Sequence, residues 1–304
     1  MDEPTLLKEI EPVASDLLNR HLGVAKEWFP HEMVPYSRGK DFEPGKQWSE
    51  NDSDFGADEI EMSDAVRGSL FVNLLTEDNL PYYFRDINSL FGNDGVYGEW
   101  GRNWTAEEGR HSIVIRDYLT VTRAIDPIAL ERGRMQQVRG GEVPAPLDLY
   151  EALAYLSMQE LATRIAHRNT GKMMHDEVGE AIMARVGNDE NLHYLFYRDL
   201  TTAAIAVDPS NMIIGIERAV RTFAMPGTGI PDFERLSREI ARVGIYDLLI
   251  HHDQILQPVV MRHWKLEQAT GLTDEAEKAR EALFKRIERI GKVGAKMASD
   301  RVNA

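Results

Sequence analysis

Along most of this chain, apolar residues recur every three to four positions, the period of an amphipathic helix. In residues 3–27 the repeating face carries Leu6, Leu7, Ile10, Val13, Leu17 and Leu18, which predicts a first helix. Residues 30–57 are rich in Pro, Gly, Asp and Ser and read as an ordered surface excursion. Residues 61–90 read as one long helix bearing Glu77, with Pro81 kinking or breaking it. The glycines of 92–103 predict a loop. Helices follow at 105–124, 127–138, 147–170, 173–186 and 189–206. Shorter ones are expected at 209–224 and 232–246, punctuated by Pro209, Pro226 and Pro231. Two more, at 248–270 and 273–296, flank Thr270-Gly271-Leu272-Thr273. No segment shows convincing strand alternation, and no short-period repeat is present. The expectation is one all-α domain over 1–304.

On these apolar stripes sit acids that a lone burial would penalise by several kcal/mol or force to change pKa. Glu-x-x-His occurs at Glu108-Gly109-Arg110-His111 and again at Glu190-Asn191-Leu192-His193. Glu77 precedes the first copy and Glu160 precedes the second, at nearly the same distance. Residues i and i+3 share a helix face, so each Glu and His can serve one site. A Glu from each of two helices and a Glu-x-x-His from each of two others is the ligand set of a dinuclear carboxylate centre in a four-helix bundle. Four carboxylates balance two divalent cations. Oxygen ligands with two imidazoles suit iron or manganese, and oxygen chemistry rather than hydrolysis. A single Glu-x-x-His is weak evidence; the weight lies in the paired spacing and the apolar surroundings. The competing reading is a set of buried Glu–Arg and Glu–His pairs using Arg110, Arg164 and Arg168. His21, His31, His167, His175, His251, His252 and His263 have no Glu three residues earlier and read as surface or core histidines, with His167 close enough to Glu160 to support the site.

Composition narrows the partners. The chain has no cysteine, which excludes disulfides, thiolate metal sites and a built-in iron–sulfur cluster. No Gly-x-Gly-x-x-Gly follows a strand-like run, so electrons for a redox reaction must come from a separate protein. The formal charge of −15 repels nucleic acid and anionic lipid. No apolar run reaches the ~18 residues of a membrane span, and the acidic N-terminus does not read as a targeting peptide, so a cytoplasmic location is expected. Two basic clusters stand out. Arg132, Arg134 and Arg139 form one; the other, between Lys278 and Lys296, alternates with glutamates and reads as a solvated helix face.

Five local segments resemble the soluble acyl-acyl-carrier-protein desaturases. They are Thr76-Glu77-Asp78-Asn79-Leu80-Pro81, Trp104-Thr105-Ala106-Glu107-Glu108-Gly109-Arg110-His111, Gln159-Glu160-Leu161-Ala162-Thr163 with His167, Asp189-Glu190-Asn191-Leu192-His193, and Arg262-His263-Trp264-Lys265 with Thr270-Gly271-Leu272. The resemblance runs from about residue 20 to 285 and is to bacterial members, with shorter loops than plant ones.

The resemblance implies a ferritin-like four-helix bundle with additional flanking helices. It implies two iron ions per chain, cycling between Fe2+ and Fe3+, and O2-dependent insertion of a cis double bond into a fatty acyl chain on acyl carrier protein. An external donor such as ferredoxin and a homodimer are implied too. Carried over by position, Glu77 and Glu160 are terminal ligands, Glu108 and Glu190 bridge, and His111 and His193 complete each iron. Thr163 matches a threonine near the oxygen pocket; Trp28, His111 and Asp189 match an electron path. An acidic carrier protein should dock on basic residues, here the Arg132, Arg134 and Arg139 cluster. Gly109, Ser112-Ile113, Leu192 and Tyr194 depart from the family pattern. These departures leave open a relative that binds carrier or metal without desaturating, or another ferritin-like di-metal oxidase.

Overall fold

The computed structural model describes residues 1–48, 62–141, 143, 146–225, 227, 230 and 232–302. Among them every regular element is helical. The helices are α1 (Glu3–Val24), α2 (Pro30–Met33), α3 (Asp64–Glu77), α4 (Leu80–Phe91), α5 (Gly95–Val121), α6 (Pro127–Gly140), α7 (Leu149–Lys172), α8 (Glu177–Val207), α9 (Pro209–Thr222), α10 (Phe233–Arg242), α11 (Leu248–His251) and α12 (Asp274–Val302).

Local chemistry sets several boundaries differently from the sequence reading. The expected helix over 61–90 is two helices. Asp78 ends α3, and Pro81 sits in the first turn of α4, where a missing N–H costs nothing. Glu77 is therefore the last residue of α3. The glycine-rich 92–103 segment is mostly helix, because Tyr97, Trp100 and Trp104 bury one face of α5 and outweigh the glycine penalty. The expected helices at 173–186 and 189–206 are one helix, α8, of 31 residues. Gly187 is no breaker: a Cβ there would lie 2.8 Å from Arg168 Cγ, so the missing side chain admits α7. The segment 248–270 starts as α11 and widens into a π-helical run, His252–His263, which contains Pro258. Of the surface excursion, α2 and a 3-10 turn at Tyr36–Arg38 are described; residues 49–57 lie outside the described residues.

α3, α5, α8 and α7 pack in a ring, each touching the next, which is the four-helix core. α1 lies on α5 and α8, α4 on α5 and α7, and α9 on α7 and α12. α7 is buried on nearly every face. The apolar interior has two parts, and the pattern along α5 and α8 shows where they divide. On α5, Trp100 and Trp104 belong to one cluster and Val114, Ile115 and Tyr118 to the other. On α8 the order reverses: Ile182 and Val186 come first, then Phe196, Tyr197 and Leu200. The Glu-x-x-His motifs fall in the interval on both helices, so running the two helices in opposite directions superposes them.

Two predictions follow from packing and burial. A Cβ at Gly215 of α9 would stand 2.6 Å from the Tyr150 carbonyl carbon of α7, whereas one at Gly23 of α1 meets nothing within 4 Å. Gly215→Ala should destabilise the fold by about 1–3 kcal/mol in denaturant titration, while Gly23→Ala should stabilise it by up to about 1 kcal/mol. His251 is buried with its Nδ1 2.9 Å from the Tyr246 hydroxyl, and burial, aided by His252, pushes its pKa down to about 4. The unfolded chain takes up this proton near pH 6.5, before the folded one does, so stability falls as pH drops from about 6.5 towards 4. His251→Gln should flatten stability against pH across that window relative to the parent.

Candidate metal centre

The six predicted ligands converge. Glu77 comes from the end of α3, Glu108 and His111 from α5, Glu160 from α7, and Glu190 and His193 from α8. All are buried, the two histidines completely. Two overlapping groups form. Glu77, Glu108, His111 and Glu190 bring ligand atoms within 4.8 Å of one another, and so do Glu108, Glu160, Glu190 and His193. Glu108 and Glu190 belong to both groups, the position a bridging ligand needs. His111 Nδ1 lies 3.2 Å from Glu108, 3.5 Å from Glu190 and 3.7 Å from Glu77. His193 Nδ1 lies 2.8 Å from Glu108 and 3.6 Å from Glu160.

The outer nitrogens are occupied in a matching way. The acid before each central glutamate reaches the histidine on the opposite helix. His193 Nε2 is 2.8 Å from Glu107, and His111 Nε2 is 3.4 Å from Asp189. Each acid is held in turn. Trp28 Nε1 donates to Asp189 at 2.8 Å, Arg110 donates to the same oxygen at 3.2 Å, and Arg185 pairs with its other oxygen. Glu107 lies 3.0 Å from His21 Nε2. The Trp28 ring is nearly parallel to His111, with centroids 6.4 Å apart. The Thr163 hydroxyl is 2.7 Å from Glu190 Oε2, Trp104 Nε1 donates to Glu160, and His167 Nε2 lies 3.1 Å from Glu77. The sequence reading missed Glu107 and His21. Glu107 had a signal, since an acid precedes the glutamate in both motifs; His21 had none, because its helix is distant in sequence.

The side chains by themselves divide the charge unevenly. Burial pushes Glu160 well up and Glu108 up. Burial opposes charge on Glu190 as well, but the His111 and His167 rings beside it hold it well below the usual carboxylate range. Against their own burial, His111 and His193 are raised by the carboxylates around them. No arginine reaches the four glutamates among the described residues. Arg110 pairs with Asp189, and Arg168 with Asn188. The Glu–Arg pairs of the competing reading are therefore not formed among the described residues, whereas its Glu–His pairs are, around His111 and His193.

Cations fit this arrangement. His111 Nδ1, His193 Nδ1 and Glu160 Oε2 are buried without a hydrogen-bond partner. With the outer nitrogen of each imidazole engaged by a carboxylate, the inner nitrogen is left to present a lone pair to the oxygen cluster, the usual support of a metal-bound histidine. Two of the positions that depart from the family pattern take no part in these hydrogen bonds: Ile113 is half exposed, and Tyr194 packs beside Arg198.

The basic cluster behaves less uniformly. Arg134 is half-buried and clasped by Asp78 and Glu131, which neutralises it, whereas Arg132 and Arg139 are exposed on α6.

The sequence profile described as fatty acid desaturase matches residues 2–304. The chain belongs to this fatty acid desaturase family. It is 41% identical over 286 residues to DesA1 of Mycobacterium tuberculosis, named as a candidate acyl-[acyl-carrier-protein] desaturase, covering 91% of this chain and 83% of DesA1. It is 29% identical over 318 residues to the chloroplastic stearoyl-[acyl-carrier-protein] 9-desaturase of Simmondsia chinensis, covering 97% of this chain and 77% of the relative. The X-ray structure of DesA2 from the same Mycobacterium superposes with a TM-score of 0.69 at 22% identity, covering 90% of this chain and 99% of that one, which establishes the shared ferritin-like helical fold. In this desaturase no helix among the described residues is long and apolar enough to cross a membrane.

Removing the carboxylate behind one histidine tests the metal reading. Glu107→Ala should weaken binding of one of two divalent ions by about 10–100-fold in competitive metal titration, leaving the other nearly unchanged. Unaltered affinity for both would remove Glu107 from the centre.

Proposed function

We propose that this chain is an acyl-[acyl-carrier-protein] desaturase that holds two iron ions and introduces a cis double bond into a carrier-bound fatty acyl chain. One observation carries the reading: the buried six-ligand cluster borders an apolar cavity. That cavity, of about 420 Å³, is walled by Val72, Val220, Phe223, Ile240 and Ile290 and reaches Glu77 and Thr163 at its inner end. A flexible chain in such a channel is positioned so that one pair of methylenes faces the cluster, and choosing between many similar C–H bonds is a problem of position.

Glu77, Glu108, His111 and Glu190 would hold one ion, and Glu108, Glu160, Glu190 and His193 the other; manganese fits the same donors. When bound, the metals supply O2 activation, with two electrons and two protons taking both oxygen atoms to water as the alkane unit loses two hydrogens. The protein's share is orientation and delivery. Thr163 holds a hydroxyl proton against Glu190 Oε2 at the edge of the cavity. Asp189 joins Trp28 to His111 by hydrogen bonds, a continuous polar route from α2's flank to the cluster along which electrons from an external donor such as ferredoxin would travel. The apolar walls exclude water from the reacting carbons.

Acyl carrier protein is the partner in this reading, a homodimer the expected assembly and the cytoplasm the expected location. Arg132 and Arg139 are offered as its docking residues, since Arg134 is already paired. Arg132→Glu with Arg139→Glu should weaken carrier binding, and the difference should shrink as salt rises; equal affinities would clear α6 of this role. The activity is tested by anaerobic reduction with ferredoxin, followed by O2 and a graded series of saturated acyl carrier proteins. The expected product is lighter by two hydrogens, read by mass spectrometry. Metal-loaded, reduced protein that leaves every chain length unchanged would overturn the assignment.

A further inference from the structure

A second, much smaller cavity borders the cluster at Glu77, Glu108 and Glu190. Its volume is about 50 Å³, and it shares Thr76, Glu77 and Thr163 with the large one. A chain that passes the ligands from the large cavity would enter the small one, so the two can serve as arms of one channel. The large arm reaches the surface, where Arg238 and Met297 are exposed at its rim. A chain tethered to an external carrier must come in by the open arm, and its free end must advance into the small one.

The small arm is not a simple hydrocarbon pocket. Ile87, Leu90, Trp104 and Leu156 line it, but so do Tyr83 and Asp86. Asn79, Tyr83 and Asp86 stand at i, i+4 and i+7 on one face of α4. The Asp86 Oδ2 atom is buried with no hydrogen-bond partner, while Oδ1 accepts from Arg85 Nε at 2.7 Å. The Tyr83 hydroxyl and the Asn79 amide are buried with none beyond each other. A methyl end pressed against these groups would strip them of water without replacing the hydrogen bonds, which is costly. A small polar space of this kind retains water instead.

We propose that the Tyr83–Asp86 face of α4 is the distal stop of the acyl channel, and that it selects acyl chains with a short segment between the reacting carbons and the methyl end. The selection rests on the desaturase reading above and adds a rule of length to it. Polarity sets the limit together with volume, so an isosteric change that keeps the polar surface leaves the limit in place.

The experiment measures dissociation constants for saturated acyl carrier proteins of increasing length, with the intact protein, its Tyr83→Phe/Asp86→Ala variant, both single variants and Asp86→Asn. For the parent, affinity should rise roughly fourfold per added methylene and then stop rising at one length. In the double variant the rise should continue past that length, and double bonds formed by the reduced enzyme should lie further from the methyl end. Asp86→Asn should keep the parental limit. If the double variant does not fold, the Tyr83→Phe profile decides, with a smaller shift in the same direction expected. The same limit in the parent and in the folded variants that remove polar groups overturns the distal stop and leaves the desaturase reading standing. No binding at any length, in any form, overturns that reading and this inference together.

Discussion

Four carboxylates buried in one helical interior are the constraint around which this molecule is organised. Glu77, Glu108, Glu160 and Glu190 are each less than a tenth exposed, and no arginine pairs with them among the described residues. Mutual repulsion and burial together would push some of them to neutrality, as Glu160 shows. A pair of cations removes the conflict for all four. The division of the apolar interior into two clusters, with the acids between, is the packing consequence: the helices supply hydrocarbon on both sides and leave one polar layer across the middle.

That layer is built with approximate two-fold symmetry. In each motif helix the glutamate is central, the histidine follows one turn later, and the preceding acid crosses to the other histidine. The symmetry breaks outside the cross-linking acids. Asp189 meets an indole and two guanidinium groups, while Glu107 meets a second imidazole. The two sides of the centre therefore face different chemistry, one bordered by Trp28 and two arginines and the other by His21 of α1. The departures at Ile113 and Tyr194 fall away from the ligands, so the hydrogen bonds that orient the imidazoles are retained.

The two cavities beside the cluster differ as well. The larger cavity is walled by α3 and α7 of the core and by α9, α10 and α12, which flank it. The smaller one is closed by α4 and α7. The four-helix core fixes the metal ligands, and the flanking helices shape what reaches them.

Periodicity alone determined that this chain is helical throughout, since a period of three to four dictates helices whatever they pack against. The spacing of Glu108 with His111 and of Glu190 with His193 placed each pair on one face, and the matched upstream acids completed the set of six side chains that converge in the interior. Other features needed the fold. Whether 61–90 is one helix or two, whether Gly187 breaks α8, and whether the glycines of 92–103 make a loop are decided by neighbouring residues that no local pattern contains. The chain joins His21 to Glu107 and Trp28 to Asp189 across long sequence separations, so the support of the histidines is a tertiary fact. Arg134 belongs to Asp78 for the same reason. Which side chains could share a face was legible in the sequence, because residue type and helical phase are local properties. Only the packed structure decided which groups orient those donors and how far a chain can pass them, because cavities and cross-helix hydrogen bonds exist only between elements.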